Sequence, residues 1–345
     1  MSSERTLSYS LAINEALHQM MESDPCVFLI GQGVNSPWYV GNTARGLLSR
    51  YGPKRVIDTP VSENVVTGSA IGAAMAGMKP VVVHPRQDFM LYALDPIINE
   101  AANWHYMSGG RVSVPVVIWG IINRGGEQAA QHSQAFHALF SHIPGLKVVM
   151  PSTPFDAKGL MVAAIRDPNP VVYIDDRWLY QEEGVVPEEI YEVPIGKAII
   201  RRSGKDITLV ALSFMVKQAM KASSELAQEN IDAELIDVRT AKPIDMDLIL
   251  QSVRKTGRLV VVDGGWKTCG WNAEVAALVS ENIFSYLKAP IGRVTLPDCP
   301  APASRTLEEA YYPTVENIIQ TVRKMFKAES YEKEAQKLKA KVGRK

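Results

Sequence analysis

Glu63 has the setting that most constrains its chemistry. It stands in Asp58-Thr-Pro-Val-Ser-Glu-Asn-Val-Val-Thr-Gly68, between the short apolar run Arg55-Val-Ile57 and a helical stretch over 64–77 made almost wholly of small and apolar residues. A helix of that composition reads as buried, which places the carboxylate at the mouth of a packed interior. There it loses hydration and needs a polar partner in exchange. Proton exchange with such a partner is the chemistry a carboxylate so placed can perform.

Three more polar segments share its kind of position. Gly31-Gln-Gly-Val34 follows the apolar run Val27–Ile30, His84-Pro-Arg-Gln-Asp-Phe89 follows Pro80–Val83, and the stretch from Gly120 to His132 follows Val114–Trp119. Leu146–Met150 and Val171–Ile174 continue the series, and helical spacing fills 10–22, 64–77, 90–108, 134–141 and 155–166. Continuous apolar strands separated by helices predict a parallel sheet covered on both faces. In such sheets ligands bind beyond the carboxyl ends of the strands, where these four segments converge.

The pattern loosens from Val185 to Lys205 around a short strand-like Lys197–Ile200, then alternates again. Strands are predicted at 206–212, 233–238, 258–263 and 291–296, with helices at 215–229, 245–254, after Gly270 and at 314–327. The fold class is therefore α/β with two doubly wound domains, 1–190 and 206–327, joined by a linker at 191–205. Residues 328–345 form a charged tail too poor in apolar residues to pack alone.

Composition removes several classes of function. The 345 residues are 46% hydrophobic and 21% charged, and 37 basic side chains balance 37 acidic ones, so no overall field draws the chain to nucleic acid or a membrane surface. Cys26, Cys269 and Cys299 are odd in number, widely spaced and without a CxxC pair, which suggests neither a disulfide framework nor a zinc site. The first ten residues lack the basic and apolar regions of a signal peptide, and no later run could span a bilayer. A cytoplasmic location is the expectation.

The loops and their order resemble the β subunit of thiamine-diphosphate-dependent 2-oxoacid dehydrogenases of the pyruvate, branched-chain and acetoin type. The resemblance is carried by Asp58–Glu63, Gly72-Ala-Ala-Met-Ala-Gly77, Tyr106-Met-Ser-Gly-Gly110, Ala129-Ala-Gln-His-Ser-Gln134, Pro144–Val149 and Ala164-Ile-Arg-Asp-Pro-Asn-Pro170. Asp237-Val-Arg-Thr-Ala-Lys-Pro-Ile-Asp245, Val262-Asp-Gly-Gly-Trp266 and Leu296-Pro-Asp-Cys-Pro300 extend it through the second half. It spans about residues 5–327 and implies a thiamine-diphosphate pyrimidine-binding domain followed by a transketolase C-terminal-like domain.

The resemblance gives Glu63 a partner: in that family the equivalent glutamate hydrogen-bonds the aminopyrimidine of the cofactor and favours the tautomer that deprotonates the thiazolium. A first-turn glutamate bound to backbone amides of its own helix is the alternative. By the same resemblance Phe89 stacks on the aminopyrimidine and His132 lines the substrate pocket, whereas His105, His137 and His142 match nothing functional. Val116, Ala164, Asp167 and Asn169 fall where the family holds a structural potassium ion. No Gly-Asp-Gly occurs in the chain. The diphosphate and its Mg2+ are thus expected on a separate α subunit in an α2β2 heterotetramer, with a lipoyl acyltransferase as a further partner.

Two segments depart from the family. His84-Pro85-Arg86-Gln87-Asp88 replaces an apolar and aromatic stretch, so that Arg86 is a candidate for a substrate carboxylate or phosphate, or else a structural arginine paired with Asp88 or with an acid across a subunit interface. Gln32 stands where an acidic residue usually links paired active sites, and a glutamine cannot ionise. Arg124 and Glu127, in Asn123-Arg-Gly-Gly-Glu-Gln128, add charge near the expected substrate entrance. These changes keep open a transketolase-like or acyloin-forming carboligase that passes the carbanion to an aldehyde or sugar. A non-catalytic scaffold subunit is the reading of another class.

Overall fold

The computed structural model describes residues 5–327; the charged tail at 328–345 lies outside the described residues. The chain divides into two compact units.

In the first unit, seven strands form a sheet in the order Thr240–Lys242, Lys147–Val149, Val171–Asp176, Val117–Ile122, Lys79–His84, Val27–Gly31, Val56–Asp58. The six strands from the first half of the chain are parallel, and Thr240–Lys242 joins the edge antiparallel. Val27–Gly31, Val117–Ile122 and Val171–Asp176 are buried along their whole length, as strands covered on both faces must be. Register aligns the strand ends that matter: Gly31 lies opposite both Asp58 and Val83, and His84 opposite Gly120.

Local chemistry explains the flanking helices. Pro154–Arg166 begins at Thr153, whose hydroxyl accepts from the Asp156 amide at 3.2 Å, and Pro154 fills the first turn where no amide partner is needed. The single helix predicted over 90–108 is three pieces: a 3-10 segment Gln87–Ala93, a wide π turn Pro96–Ala101 and an α-helix Ala102–Met107. Pro96 supplies no amide hydrogen, so an unbroken ladder cannot pass through it.

The expectation that the helix after Glu63 is wholly buried is corrected. It runs Glu63–Met75 and buries one face through Thr67, Ala70, Ile71 and Ala74. Val61 and Val65 stay 66% and 63% exposed, and Ser69 and Gly72 are exposed as well. Small apolar residues all round a helix signal burial on every side, but this chain covers only one.

The second unit carries a five-stranded sheet in the order Gly292–Leu296, Leu259–Trp266, Ile207–Ala211, Ala233–Asp237, Ile199–Arg202, of which only the last is antiparallel. Its core joins Leu209, Leu235 and Val260 to Ala219, Ala222 and Leu226 of the helix Phe214–Gln228 and to Ile318 and Val322 of the helical stretch 315–327. Residues 239–244 and 300–309, late in the chain, belong to the first unit. The sequence reading anticipated neither their membership nor the edge strand, because three residues are too short a signal. The two-stranded pairing of Thr6–Ser8 with Glu183–Val185 was missed for the same reason.

Candidate active site

At the carboxyl edge of the seven-stranded sheet lies a cavity of about 270 Å³. Its lining includes Gln32, Thr59, Glu63, Arg86, Phe89 and His132, so all four predicted segments meet there. The Glu63 carboxylate has no hydrogen-bond partner among the described residues, and Ser62 before it makes no side-chain cap. The capping alternative therefore fails: the carboxylate faces the cavity and not its own helix. Phe89 and His132 meet edge to face, with ring centroids 5.4 Å apart and planes at 88°. The ring of Phe89 is thereby fixed as one wall, and His132 shares that wall.

The departing segment 84–88 does more structural work than the sequence suggested. Gln87 Oε1 accepts from the Phe136 amide at 2.9 Å, and Asp88 Oδ1 accepts from Gln134 through its amide at 3.2 Å and its side chain at 2.8 Å. These bonds tie the segment to the loop that carries His132. Burial pushes the Asp88 carboxyl above its ordinary range, and the Gln134 bonds partly offset that. Asn123 Nδ2 donates to the Pro85 carbonyl at 2.9 Å and fixes the same segment from the neighbouring strand end.

Asp88 is thus engaged by Gln134, and the pairing of Arg86 with Asp88 is not formed. Arg124 is corrected as well. It is buried and ion-paired with Asp176 at 2.8 Å, away from the cavity lining. Charge in a glycine-bearing loop reads as exposed, yet the Val171–Asp176 strand supplies a buried counter-ion that no local signal reveals. Glu127 is exposed, and its amide donates to Glu308 at 3.1 Å.

His84 is a lining residue that the sequence reading did not single out. Its Nε2 lies 3.1 Å from Thr67 Oγ1, and burial pushes the imidazole down to about 4, so it is neutral at pH 7. Its place at the last position of a strand was the available signal. His137 is buried and His142 exposed, both outside the cavity, and His105 Nδ1 sits 3.0 Å from the Val112 carbonyl.

The predicted cation positions lie apart from the cavity. Asp167 accepts from Lys147 Nζ at 2.5 Å and from the Asn169 amide at 2.9 Å, and the Val116 carbonyl accepts from the Val171 amide at 3.0 Å. Asn169 Oδ1 is buried without a partner. Among the described residues no group of three or more His, Cys, Asp or Glu could hold a metal ion. No helix among them is long and apolar enough to cross a membrane.

The carboxyl edge of the parallel sheet thus brings an unpartnered glutamate and an aromatic wall into one cavity. Residues 5–182 match the transketolase pyrimidine-binding domain and residues 196–318 the transketolase C-terminal domain. The chain belongs to this transketolase-like, thiamine-diphosphate-dependent family. Within it, the chain is 45% identical over 333 residues to the β subunit of acetoin:2,6-dichlorophenolindophenol oxidoreductase of Cupriavidus necator, covering 94% of this chain and 98% of that one. It is 44% identical over 314 residues to the pyruvate dehydrogenase E1 component β subunit of Rickettsia felis, covering 91% and 96%. A split-gene transketolase, solved as an inactive β4 tetramer, shares the fold with a TM-score of 0.76 at 23% identity, over 92% of this chain and 98% of that one.

Proposed function

We propose that this chain is the β subunit of a heteromeric thiamine-diphosphate enzyme that decarboxylates a 2-oxoacid and transfers the acyl group to lipoamide. The observation that carries the reading is the Glu63 carboxylate, unpartnered in a cavity walled by Phe89 and shared by His132. The residues fit an aminopyrimidine. Phe89 offers a ring face for stacking, Glu63 an oxygen for a ring nitrogen, and Val66, Val83 and Pro85 add apolar surface. Thiamine diphosphate supplies, when bound, a carbon nucleophile and an electron sink for decarboxylation.

The chain's own residues do the rest. Glu63 holds or accepts a proton at the pyrimidine edge, where a half-buried carboxylate exchanges protons more effectively than water. His132, held by the Asp88–Gln134 bonds and by Phe89, orients the substrate and handles a proton at its carbonyl oxygen. Neutral His84 adds no charge to the cavity lining.

Diphosphate and Mg2+ fall to an α subunit, in an α2β2 assembly that a lipoyl acyltransferase would serve. The exposed valines beside Glu63 support a partner chain at this rim. The three cysteines are free, in keeping with a reducing cytoplasm. Potassium at Val116, Ala164, Asp167 and Asn169 is supported by the unpartnered Asn169 oxygen, with main-chain carbonyls as the remaining donors because Lys147 already holds the Asp167 carboxylate.

The test is reconstitution with the α subunit and comparison of lipoamide, dye and aldehyde acceptors. Glu63→Gln should lower turnover with every acceptor by about 10²–10⁴-fold while leaving assembly intact. Unaltered turnover would leave only the scaffold reading, and turnover confined to aldehydes would favour the carboligase.

A further inference from the structure

Arg86 forms no ion pair among the described residues. Its side chain lines the cavity, its Nε is fully enclosed with no hydrogen-bond partner, and its Nη1 reaches only the Pro85 carbonyl at 3.0 Å. Asp88, the nearest acid in sequence, has turned to Gln134.

A second guanidinium stands behind it. Arg177 Nη1 donates to the Trp38 carbonyl at 3.0 Å and Nη2 to the Tyr39 carbonyl, its plane lies over Tyr180, and its Nε is likewise buried and unpartnered. Both carbonyls belong to residues that line the cavity. Burial and, after it, the neighbouring Arg177 disfavour the charge on Arg86. Neither arginine forms an ion pair among the described residues. Two guanidinium groups near one another, neither in ion-pair contact with a carboxylate among the described residues, can still take an oxyanion, and the guanidinium fork suits the bidentate geometry of carboxylate or phosphate.

We propose that Arg86, backed by Arg177, binds a second oxyanion on the substrate, one that the reaction does not remove, and so sets specificity for a dianionic substrate. This rests on the reading that a 2-oxoacid is turned over in this cavity. The carboxylate lost as CO2 is a poor target for Arg86, since a cation fixed on it stabilises the ground state more than a transition state in which that charge is dispersing. A distal carboxylate or phosphate keeps its charge throughout and anchors the substrate in both states. The two sources share one chemistry and are told apart by the probes.

Binding is measured first on the full chain alone, by calorimetry with inorganic phosphate, glutarate and, as monoanion control, propionate. Phosphate or glutarate should bind more tightly than propionate, and Arg86→Gln should weaken that binding by about 10- to 100-fold. Arg86→Lys should recover part of it, which a misfolded variant would not. In the reconstituted enzyme, kcat/KM for 2-oxoglutarate relative to pyruvate, or for glyceraldehyde 3-phosphate relative to glyceraldehyde as acceptor, should fall with Arg86→Gln. Whichever pair responds identifies carboxylate or phosphate.

Equal anion affinity in wild type and Arg86→Gln overturns the proposal, as does an Arg86→Gln variant that loses only its assembly with the α subunit. Glu63→Gln separates this inference from the reading beneath it: it lowers turnover while keeping anion binding.

Discussion

His84 shows how one buried side chain couples the site to pH. Its folded value of about 4 lies below the ordinary value near 6.5, so between those limits the unfolded chain binds a proton that the native chain refuses. Its contribution is intact above about pH 6.5 and is lost as pH falls toward 4, by about 3 kcal/mol in total. Asp175, pushed up to about 7 by burial, acts in the opposite sense, since its contribution is present at low pH and is lost as pH rises toward 7. The expected outcome is therefore read as a difference: urea unfolding of wild type and His84→Gln, which keeps a hydrogen-bonding group near Thr67, should diverge between pH 6.5 and 4. Parallel curves would contradict the assignment. Also at this scale, Glu63→Gln should lower kcat of the reconstituted enzyme by about 10²–10⁴-fold, the range of a lost acid–base group, with little change in thermal stability. Asp176→Asn should instead destabilise by about 3–5 kcal/mol, because it removes the buried carboxylate paired with Arg124.

Among the elements that position the site, the strand pair at the cavity floor leaves no room for a side chain at Gly31. A Cβ added at Gly31 would stand 2.4 Å from the Val83 carbonyl oxygen, so Gly31→Ala must push apart two parallel strands whose ends carry Gln32 and His84. We expect a loss of about 1–3 kcal/mol in urea unfolding, the range of an overpacked core; an unchanged midpoint would show that the strands yield freely. The strands were legible in the sequence because runs such as Val27-Phe-Leu-Ile30 are apolar at consecutive positions. The segment after Pro85 was less so. It reads as a charged insertion, whereas Gln87 and Asp88 hold the His132 loop and only Arg86 is left facing the cavity. Which polar side chain turns inward depends on partners some 46–49 positions along the chain.

At the scale of the whole molecule, one chain presents one rim of a site. The helix beginning at Glu63 keeps an apolar face open beside the cavity. The chain alone should turn over no 2-oxoacid, and addition of the α subunit should restore activity; full activity of the single chain would contradict this. Family, fold class and the cluster of Glu63, Phe89 and His132 were determined by the sequence itself, because short motifs at the ends of apolar strands must converge wherever those strands lie parallel. Only the tertiary structure decided that Arg124 is locked onto Asp176, that Asp88 belongs to Gln134, that residues 239–244 join the first sheet, and that one face of the helix after Glu63 has no cover. Each of these depends on a partner distant in sequence, and burial and pairing energies act between neighbours in space. Glu63, read first as a carboxylate lacking a partner, keeps that lack among the described residues of the folded chain, because the cavity and not its own helix receives it.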